Sequence, residues 1–284
     1  MKLVPIEHKQ EELLILEKAM MSEEQVECPL IHRFAPGLYI REVHIPAGTL
    51  ALGNTQKFEH LNILLKGRVQ IVADNGELLE LTAPMTFVGK PGRKVGYILE
   101  DVIWQNIYPT TETDIDKLED FYIEKSDYAY SMLANSVSIE YDCREEDRAD
   151  YLSILNDFGF DEATARSQSE NEDDQIPMNS NFGVIISDSQ IEGKGVIATI
   201  PFESGAIIAP AMINGKRNPI GRYTNHSKNP NCEFVWLDDK NIVIRSLKRI
   251  KGCVAGYKGE ELTVNYRTVL NKVLFNKEVE KCLQ

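Results

Sequence analysis

The chain has 284 residues, of which 43% are hydrophobic and 26% charged, a balance typical of globular proteins and sufficient for two domains. Its formal net charge of −13, from 44 acidic and 31 basic residues, argues against electrostatic binding to a nucleic-acid backbone. The charge is compatible with a basic protein partner, although solubility alone also accounts for it.

The N-terminal segment, residues 1–27, predicts one amphipathic helix over residues 8–21. Its apolar residues Leu13, Leu14, Leu16 and Met20 lie near one helical face. Because the apolar residues are interleaved with charge, the segment does not resemble a signal peptide. No apolar run in the chain approaches the ~18 residues of a membrane span, so we expect no membrane partner.

The next segment, residues 28–115, predicts a small antiparallel β-barrel. Short alternating runs such as LYIREVHI and VGYILEDVIWQNI are separated by PAG, DNG and KPG turns. The turn Asp74-Asn75-Gly76 is a strong hairpin signal between two such runs.

The alternating pattern is lost over residues 116–179, which we interpret as a helical and acidic linker. DIDKLEDFY and EEDRADYLSILNDFGF predict helices, and SQSENEDDQIP predicts a poorly ordered acidic stretch. Short strands return over residues 180–268, and residues 269–284 form a C-terminal tail. The predicted fold class is therefore mainly β with short helices.

The cysteines stand far apart and form no CxxC pair, so we expect neither a zinc cluster nor a disulfide framework. Reduced thiols and a cytoplasmic location are the default for such a pattern. The five positions are Cys28, Cys143, Cys232, Cys253 and Cys282.

Three motifs occur in order in the C-terminal part: GKG at Gly193–Gly195, GRYTNHSKNPN at Gly221–Asn231, and GEELTVNY at Gly259–Tyr266. Together they resemble the SET domain of protein lysine methyltransferases, over about residues 180–267. The resemblance implies a compact β fold whose two late motifs form a knot-like crossing. It also implies S-adenosylmethionine as cofactor and, as partner, a protein substrate with an exposed lysine.

The resemblance assigns a role to each matching residue. It makes Tyr266 the catalytic residue and a cofactor contact, and it makes Tyr223 and Tyr257 candidates for the lining of the lysine channel. The remaining cofactor contacts that it implies are Gly193, Lys194, Gly195, Arg222, Asn225 and His226. Taken alone, Gly193 and Gly195 would predict an ordinary hairpin turn, and Tyr266 a packed ring with a satisfied hydroxyl.

Three departures from the family pattern limit the expectation. Asn265 replaces the Asp of the third motif, which removes a charge. Lys228 stands where many family members have Cys, and the tail has one Cys, so we expect no zinc cluster after the domain. Only about 25 residues separate GKG from the second motif, so substrate recognition must come from the first domain, the linker or a second subunit.

The N-terminal barrel resembles a cupin, with IPAGTLALGNTQKFEHLNILLKGRVQIV matching the first cupin motif. The metal ligands of the family are missing: His60 falls at the usual Glu, and Gly53 and Thr55 fall at two usual His positions. We therefore expect no metal and a docking or oligomerising role, with Glu59, His60 and His44 as candidate pocket residues. A degenerate cupin followed by a minimal SET domain resembles proteins encoded by bacteriophages.

Three functions remain open from the sequence. The leading hypothesis is an S-adenosylmethionine-dependent protein lysine N-methyltransferase. The alternative is a structural or virion-associated scaffold that carries a relic SET module and oligomerises through its cupin. A third hypothesis makes the cupin a dioxygenase, which the missing metal ligands argue against.

Overall fold

The computed structural model describes residues 10–72, 78–126, 128, 144–169, 171, 173, 175–178, 182–254 and 257–270. The chain groups into two compact units. The first comprises Met1–Ile139, Ala198–Pro201 and Lys251–Gly259, and the second comprises Glu140–Ile197, Phe202–Ile250 and Glu260–Gln284. Two short stretches of the C-terminal half therefore group with the N-terminal unit.

In its described residues, the first unit consists mainly of short strands with two helices. In chain order its elements are α1 Gln10–Met21, β1 Leu30–Ala35, β2 Leu38–Ile45, β3 Leu50–Leu52, β4 Thr55–Gln56, β5 His60–Val72, β6 Leu78–Thr82, β7 Met85–Gly89, β8 Val95–Pro109, α2 Ile115–Tyr122 and β9 Ile123–Glu124. The predicted first helix is confirmed from Gln10 onward, and residues 8 and 9 lie outside the described residues. The alternating runs form β2, β5, β7 and β8, as predicted.

A seven-stranded antiparallel sheet forms the body of the first unit. Its strand order is β1-β2-β8-β5-β6, with β3 paired to β8 and β7 paired to β5. The strands β5 and β6 pair from Arg68↔Thr82 to Val72↔Leu78, which confirms the predicted hairpin, although its turn lies outside the described residues. The buried apolar core of this sheet contains Leu64, Val69, Leu81, Phe87, Ile98 and Val102.

The second unit combines helices with two small sheets. Its elements are α3 Arg144–Asp157, α4 Glu162–Ser169, β10 Val184–Asp188, β11 Lys194–Ala198, β12 Ile207–Ile213, β13 Lys216–Arg217, α5 Pro219–Tyr223, β14 Asn225–His226, β15 Cys232–Trp236, β16 Ile242–Ser246 and β17 Glu261–Val264. The strand orders are β10-β11-β17-β14 and β13-β12-β16-β15. The predicted fold class, mainly β with short helices, is confirmed.

The expectation of a poorly ordered acidic stretch over residues 167–177 is wrong for part of it. Helix α4 continues through Ser169, and its first turn is capped by Asp161, whose Oδ1 accepts the Thr164 N–H at 2.8 Å. Further along, the Ile176 N–H donates to the Arg217 carbonyl at 2.9 Å. This pairing with a strand some forty residues later satisfies the backbone, and local composition cannot show it.

Two expectations from composition concern membranes and thiols. Among the described residues, no helix has both the length and the apolar character that crossing a membrane requires. Cys28, Cys232 and Cys253 are buried free thiols. Cys143 and Cys282 lie outside the described residues, as does the predicted tail from residue 271 onward.

Gly221, in helix α5, lies directly against strand β12. A Cβ added there would overlap the backbone carbonyl of Ala211, and backbone cannot rotate away as a side chain can. We expect Gly221→Ala to lower the free energy of unfolding by about 2–3 kcal/mol, the upper part of the usual cost of overpacking, because the overlapping neighbour is backbone. Urea denaturation of the full chain measures the loss.

Gly205→Ala is the matched control in the same unit. Gly205 has φ +83° and no atom within 4 Å of an added Cβ, so the control isolates the cost of the left-handed backbone. That cost is about 1 kcal/mol. An equal or smaller loss in Gly221→Ala would contradict the predicted overlap.

Candidate active site

Parallel pairing of β14 with β17 brings the second and third motifs together. Asn225 pairs with Thr263 and His226 with Val264, so the two strands end side by side. Tyr266 follows two residues after β17, and its phenol donates to the carbonyl of Thr224 at 2.9 Å. Its ring lies 5.2 Å from the His226 ring. The residue predicted to be catalytic is thus fixed beside the Asn-His pair.

The environment of Tyr266 keeps its hydroxyl protonated. Burial is the largest cause and raises the pKa of the phenol well above its ordinary value, and the neighbouring Tyr151 and Glu261 raise it further. A phenol in this state donates a hydrogen bond through its proton and presents its lone pairs, but it does not act as a base near neutral pH. Its chemistry is therefore orientation of a polar group.

His226 fixes the backbone of Tyr266. Its Nδ1 accepts the Tyr266 N–H at 3.2 Å, which places the ring proton on Nε2, 3.2 Å from Asp150 Oδ2. Burial lowers the pKa of His226, and this effect outweighs the opposing charge of Asp150. The ring is therefore neutral at physiological pH, with Nδ1 accepting one hydrogen bond and Nε2 donating the other.

Helix α3 contributes carboxylates that the sequence analysis missed. The second oxygen of Asp150 accepts from Arg267 at 3.1 Å. Burial works to raise the pKa of Asp150, but the hydrogen bond and charge of Arg267 outweigh it and the pKa is lowered. One turn earlier, Asp147 Oδ1 accepts the Lys228 N–H at 2.6 Å and the Ser227 hydroxyl at 3.3 Å. Helix α3 thus anchors His226, Ser227 and the backbone of the following Lys228.

Asn225 joins the GKG hairpin to β17. Its Nδ2 lies 2.7 Å from Glu261 Oε1 and 3.0 Å from Ser189 Oγ. The carbonyls of Glu192 and Lys194 are also within reach, at 3.2 and 3.1 Å. Since an amide has two hydrogens, these four acceptors occupy the donor side of Asn225 fully. A cofactor contact from Asn225 must come from its Oδ1 or its backbone.

Gly195 is required by this hydrogen-bond network. A Cβ at Gly195 would overlap the Glu261 carboxylate, which also accepts from the Ser189 hydroxyl. Gly193, in contrast, has open space beside it and a φ of +55°, and its carbonyl accepts the Ser189 N–H at 2.8 Å. The two glycines therefore differ: Gly195 makes room for protein, and Gly193 leaves backbone exposed to a ligand.

Arg222 has the properties of an anion-binding residue. Its guanidinium lies 5.0 Å from the centre of the Tyr223 ring. Within the described part of the chain it forms no ion pair, whereas Lys194 pairs with Asp188 at 3.0 Å. A guanidinium without a carboxylate partner suits a ligand carboxylate.

Two asparagines have structural roles. Asn265 Oδ1 accepts the Arg267 N–H at 3.0 Å and so caps the helical residues 266–270, a role that Asn and Asp fill equally well. The Asn231 side chain clamps β17: its Nδ2 donates to the Glu261 carbonyl at 2.8 Å, and its Oδ1 accepts the Thr263 N–H at 2.8 Å. The replacement of Asp by Asn265 therefore leaves this cap intact.

The two predicted channel tyrosines belong to different units. Tyr223 ends helix α5 in the unit that holds Tyr266. Tyr257 belongs to the first unit and lines a cavity of that unit. The sequence places Tyr257 close to the third motif, but Lys251–Gly259 groups with the first unit.

The predicted pocket residues of the barrel bond to nearby groups. His60 Nδ1 bonds to the Phe58 carbonyl at 3.0 Å, and His44 Nε2 to Glu42 Oε1 at 2.9 Å. Across the positions that the structure describes, no three or more His, Cys, Asp or Glu side chains are grouped as metal ligands would be.

The first unit is similar to solved cupin-fold structures, which match the N-terminal part of the chain. A cupin-2 domain protein from Shewanella frigidimarina is 14% identical, with a TM-score of 0.25, over 36% of this chain and 100% of that one. An RmlC-like cupin with a double-stranded β-helix fold from Methanocaldococcus jannaschii is 10% identical, with a TM-score of 0.26, over 34% and 91%.

A comparison with curated proteins found no match. The model of the SET domain family matches residues 90–267, which is more than half of the 284 residues. That match includes all three motifs gathered around Tyr266. The chain belongs to the SET domain family.

Proposed function

We propose that the protein is an S-adenosylmethionine-dependent protein lysine N-methyltransferase. The observation that carries the proposal is the Tyr266 phenol, held on the Thr224 carbonyl at 2.9 Å beside the neutral His226. A protonated phenol next to a backbone carbonyl offers both a lone pair and an oxygen acceptor to an incoming amine. Family membership supports the same reaction.

The residues present fit the cofactor. The guanidinium of Arg222, which forms no ion pair with the residues that the structure describes, suits its carboxylate, and the open space beside Gly193 and the Oδ1 of Asn225 suit its polar groups. When bound, the cofactor supplies an electrophilic methyl group on a sulfonium. The chain's own residues then have to orient the lysine amine and exclude water from it.

Methyl transfer needs a neutral amine and correct alignment. Lysine has an ordinary pKa of about 10.4, so its neutral form costs about 4–5 kcal/mol at pH 7. Desolvation beside a cation lowers that pKa. Holding both reactants in line contributes up to roughly 7–11 kcal/mol. A phenol that stays protonated is sufficient for this work, because the site orients the amine and does not have to bind its proton.

The substrate we propose is a protein with an exposed lysine, and the net charge of −13 favours a basic target. The short stretch before the second motif leaves little material for a substrate groove, so we propose that other parts of the chain or a second subunit supply it. The buried free thiols Cys28, Cys232 and Cys253 fit a reducing cytoplasm, which is the location we propose.

The test is labelling with tritiated S-adenosylmethionine in a lysate of the source cell, with purified protein added. We expect a protein band to gain label in a form stable to base, as N-methyl groups are. Calorimetry on purified protein measures cofactor binding separately. Absence of both binding and labelling would overturn the proposal.

The second candidate is a structural scaffold, oligomerised through the barrel, with a relic SET module. The short stretch between GKG and the second motif favours it. Asn265 does not, because it fills a capping role open to Asp or Asn. Native mass spectrometry of the purified chain separates the two: carried cofactor favours the enzyme, and an oligomer without cofactor favours the scaffold.

A further inference from the structure

The first unit encloses a cavity of about 460 Å³, a size typical of sites for small organic ligands. Apolar side chains form much of its lining and come from the strands of the sheet and from helix α1 with the segment after it. Representative apolar members are Val43, Ile45, Val69, Ile71 and Ile98. Asn62, Lys94, Trp104 and Asn106 add polar groups to this lining. The cavity therefore suits a molecule with an apolar body and one polar group.

Lys94 is the cation of this cavity that lacks a carboxylate. Two arginines that line it are paired, Arg93 with Glu17 and Arg41 with Glu119. The Lys94 ammonium has none of the carboxylates in the described part of the chain within ion-pair distance, and it lies 5.6 and 5.7 Å from the rings of Phe87 and Trp104.

Burial lowers the pKa of Lys94 to about 8. At pH 7 the charged form therefore still outnumbers the neutral amine by about ten to one. A buried charge without a counterion is costly, so a bound anion would gain from pairing with it.

Hydrogen-bond donors exceed acceptors around this lysine. Asn62 Oδ1 accepts from Trp104 Nε1 at 2.9 Å and from Asn106 Nδ2 at 2.8 Å. The Lys94 Nζ is left at 3.4 Å from the same oxygen, a long contact. Gly89 leaves the space that this cluster occupies, since a Cβ there would overlap both Asn62 and Lys94. An acceptor from a ligand would complete the ammonium's bonds.

We propose that this cavity binds an organic carboxylate, with its carboxylate on Lys94 Nζ and its apolar body along the aliphatic lining. The carboxylates that line the cavity do not compete with the ligand for Lys94. Glu17 already pairs with Arg93, and Glu23 and Glu24 are exposed. Binding of this ligand would require neither a metal nor methyl transfer.

Trp104 provides the readout, because it donates to Asn62 beside Lys94. The chain has two tryptophans, so Trp236→Phe leaves Trp104 as the sole indole signal of the full-length protein. The probes are octanoate and 3-phenylpropanoate, each compared with its neutral amide. We expect saturable changes in Trp104 fluorescence with at least one acid, and at least about tenfold weaker binding of its amide.

Lys94→Met removes the charge and keeps much of the side-chain volume, so we expect it to abolish the preference for acid over amide. Lys66→Met, at an exposed position of the same strand β5 as Asn62, is the control and should leave the preference intact. Equal binding of acid and amide by the otherwise unaltered chain, or no binding of either acid, overturns the proposal. That comparison decides the matter even if Lys94→Met does not fold.

Discussion

Tyr266→Phe should lower the rate of methyl transfer by about 100-fold or more while leaving cofactor affinity within about threefold. The ring and its contact with His226, 5.2 Å between centroids, would remain. The variant loses the hydroxyl that lies on the Thr224 carbonyl, and with it the group that we propose orients the amine. Rates come from transfer of tritiated methyl, and affinity from calorimetry on the same preparation.

Tyr151→Phe is the control for the loss of a nearby hydroxyl. Tyr151 contacts the Tyr266 ring edge-on, at 6.2 Å, so its substitution keeps the packing and removes a phenol that we assign no role. We expect its rate to remain within about twofold of that of the unaltered chain. A fully active Tyr266→Phe, folded to the same degree by urea denaturation, would contradict the role that we propose for the hydroxyl.

The sequence predicts those elements whose residue pattern is set by neighbouring positions in the chain. Alternation of apolar and polar residues predicted β2, β5, β7 and β8, because a half-buried strand needs that period. The order of the three motifs predicted that Asn225, His226 and Tyr266 belong to one site, and the pairing of β14 with β17 brings them together.

The unpredicted part of the site comes from contacts between distant segments. Asp150 lies 76 residues before His226, in a helix whose sequence looks like any charged surface helix. The contact of Asp147 with the Lys228 N–H also joins distant segments, at a separation of 81 residues. A carboxylate whose partner lies far along the chain carries no local signal, because neither segment alone shows the contact.

The largest stability effect should come from Glu119 in helix α2. Glu119 is 4% exposed, and its carboxylate bridges Arg41 Nε at 3.2 Å and Lys125 Nζ at 2.7 Å. Arg41 is itself only 7% exposed. Glu119→Gln would remove the carboxylate charge from beside that buried guanidinium. We expect the free energy of unfolding to fall by about 3–5 kcal/mol, the usual cost of breaking a buried pair from one side.

Glu80→Gln is the control, because Glu80 pairs with Arg68 at 2.9 Å on the surface, where both side chains are over 40% exposed. Exposed pairs contribute about 0–1 kcal/mol, so this variant should unfold almost as the unaltered chain does. A loss in Glu119→Gln no larger than that in Glu80→Gln would contradict the role of the buried pair.

The pH dependence gives an independent test of Glu119. Burial works to raise its pKa, but Arg41 and Lys125 outweigh this and lower it from 4.5 to about 2. Between these values the unfolded chain binds more protons than the folded one, so the contribution of Glu119 is complete above pH 4.5 and is lost as the pH falls toward 2. Glu119→Gln has no such contribution to lose. The difference in unfolding free energy between the two proteins should therefore shrink on acidification, and urea titrations across that pH range measure it. A difference that stays constant with pH would show that the variant is destabilised by lost packing and not by lost charge.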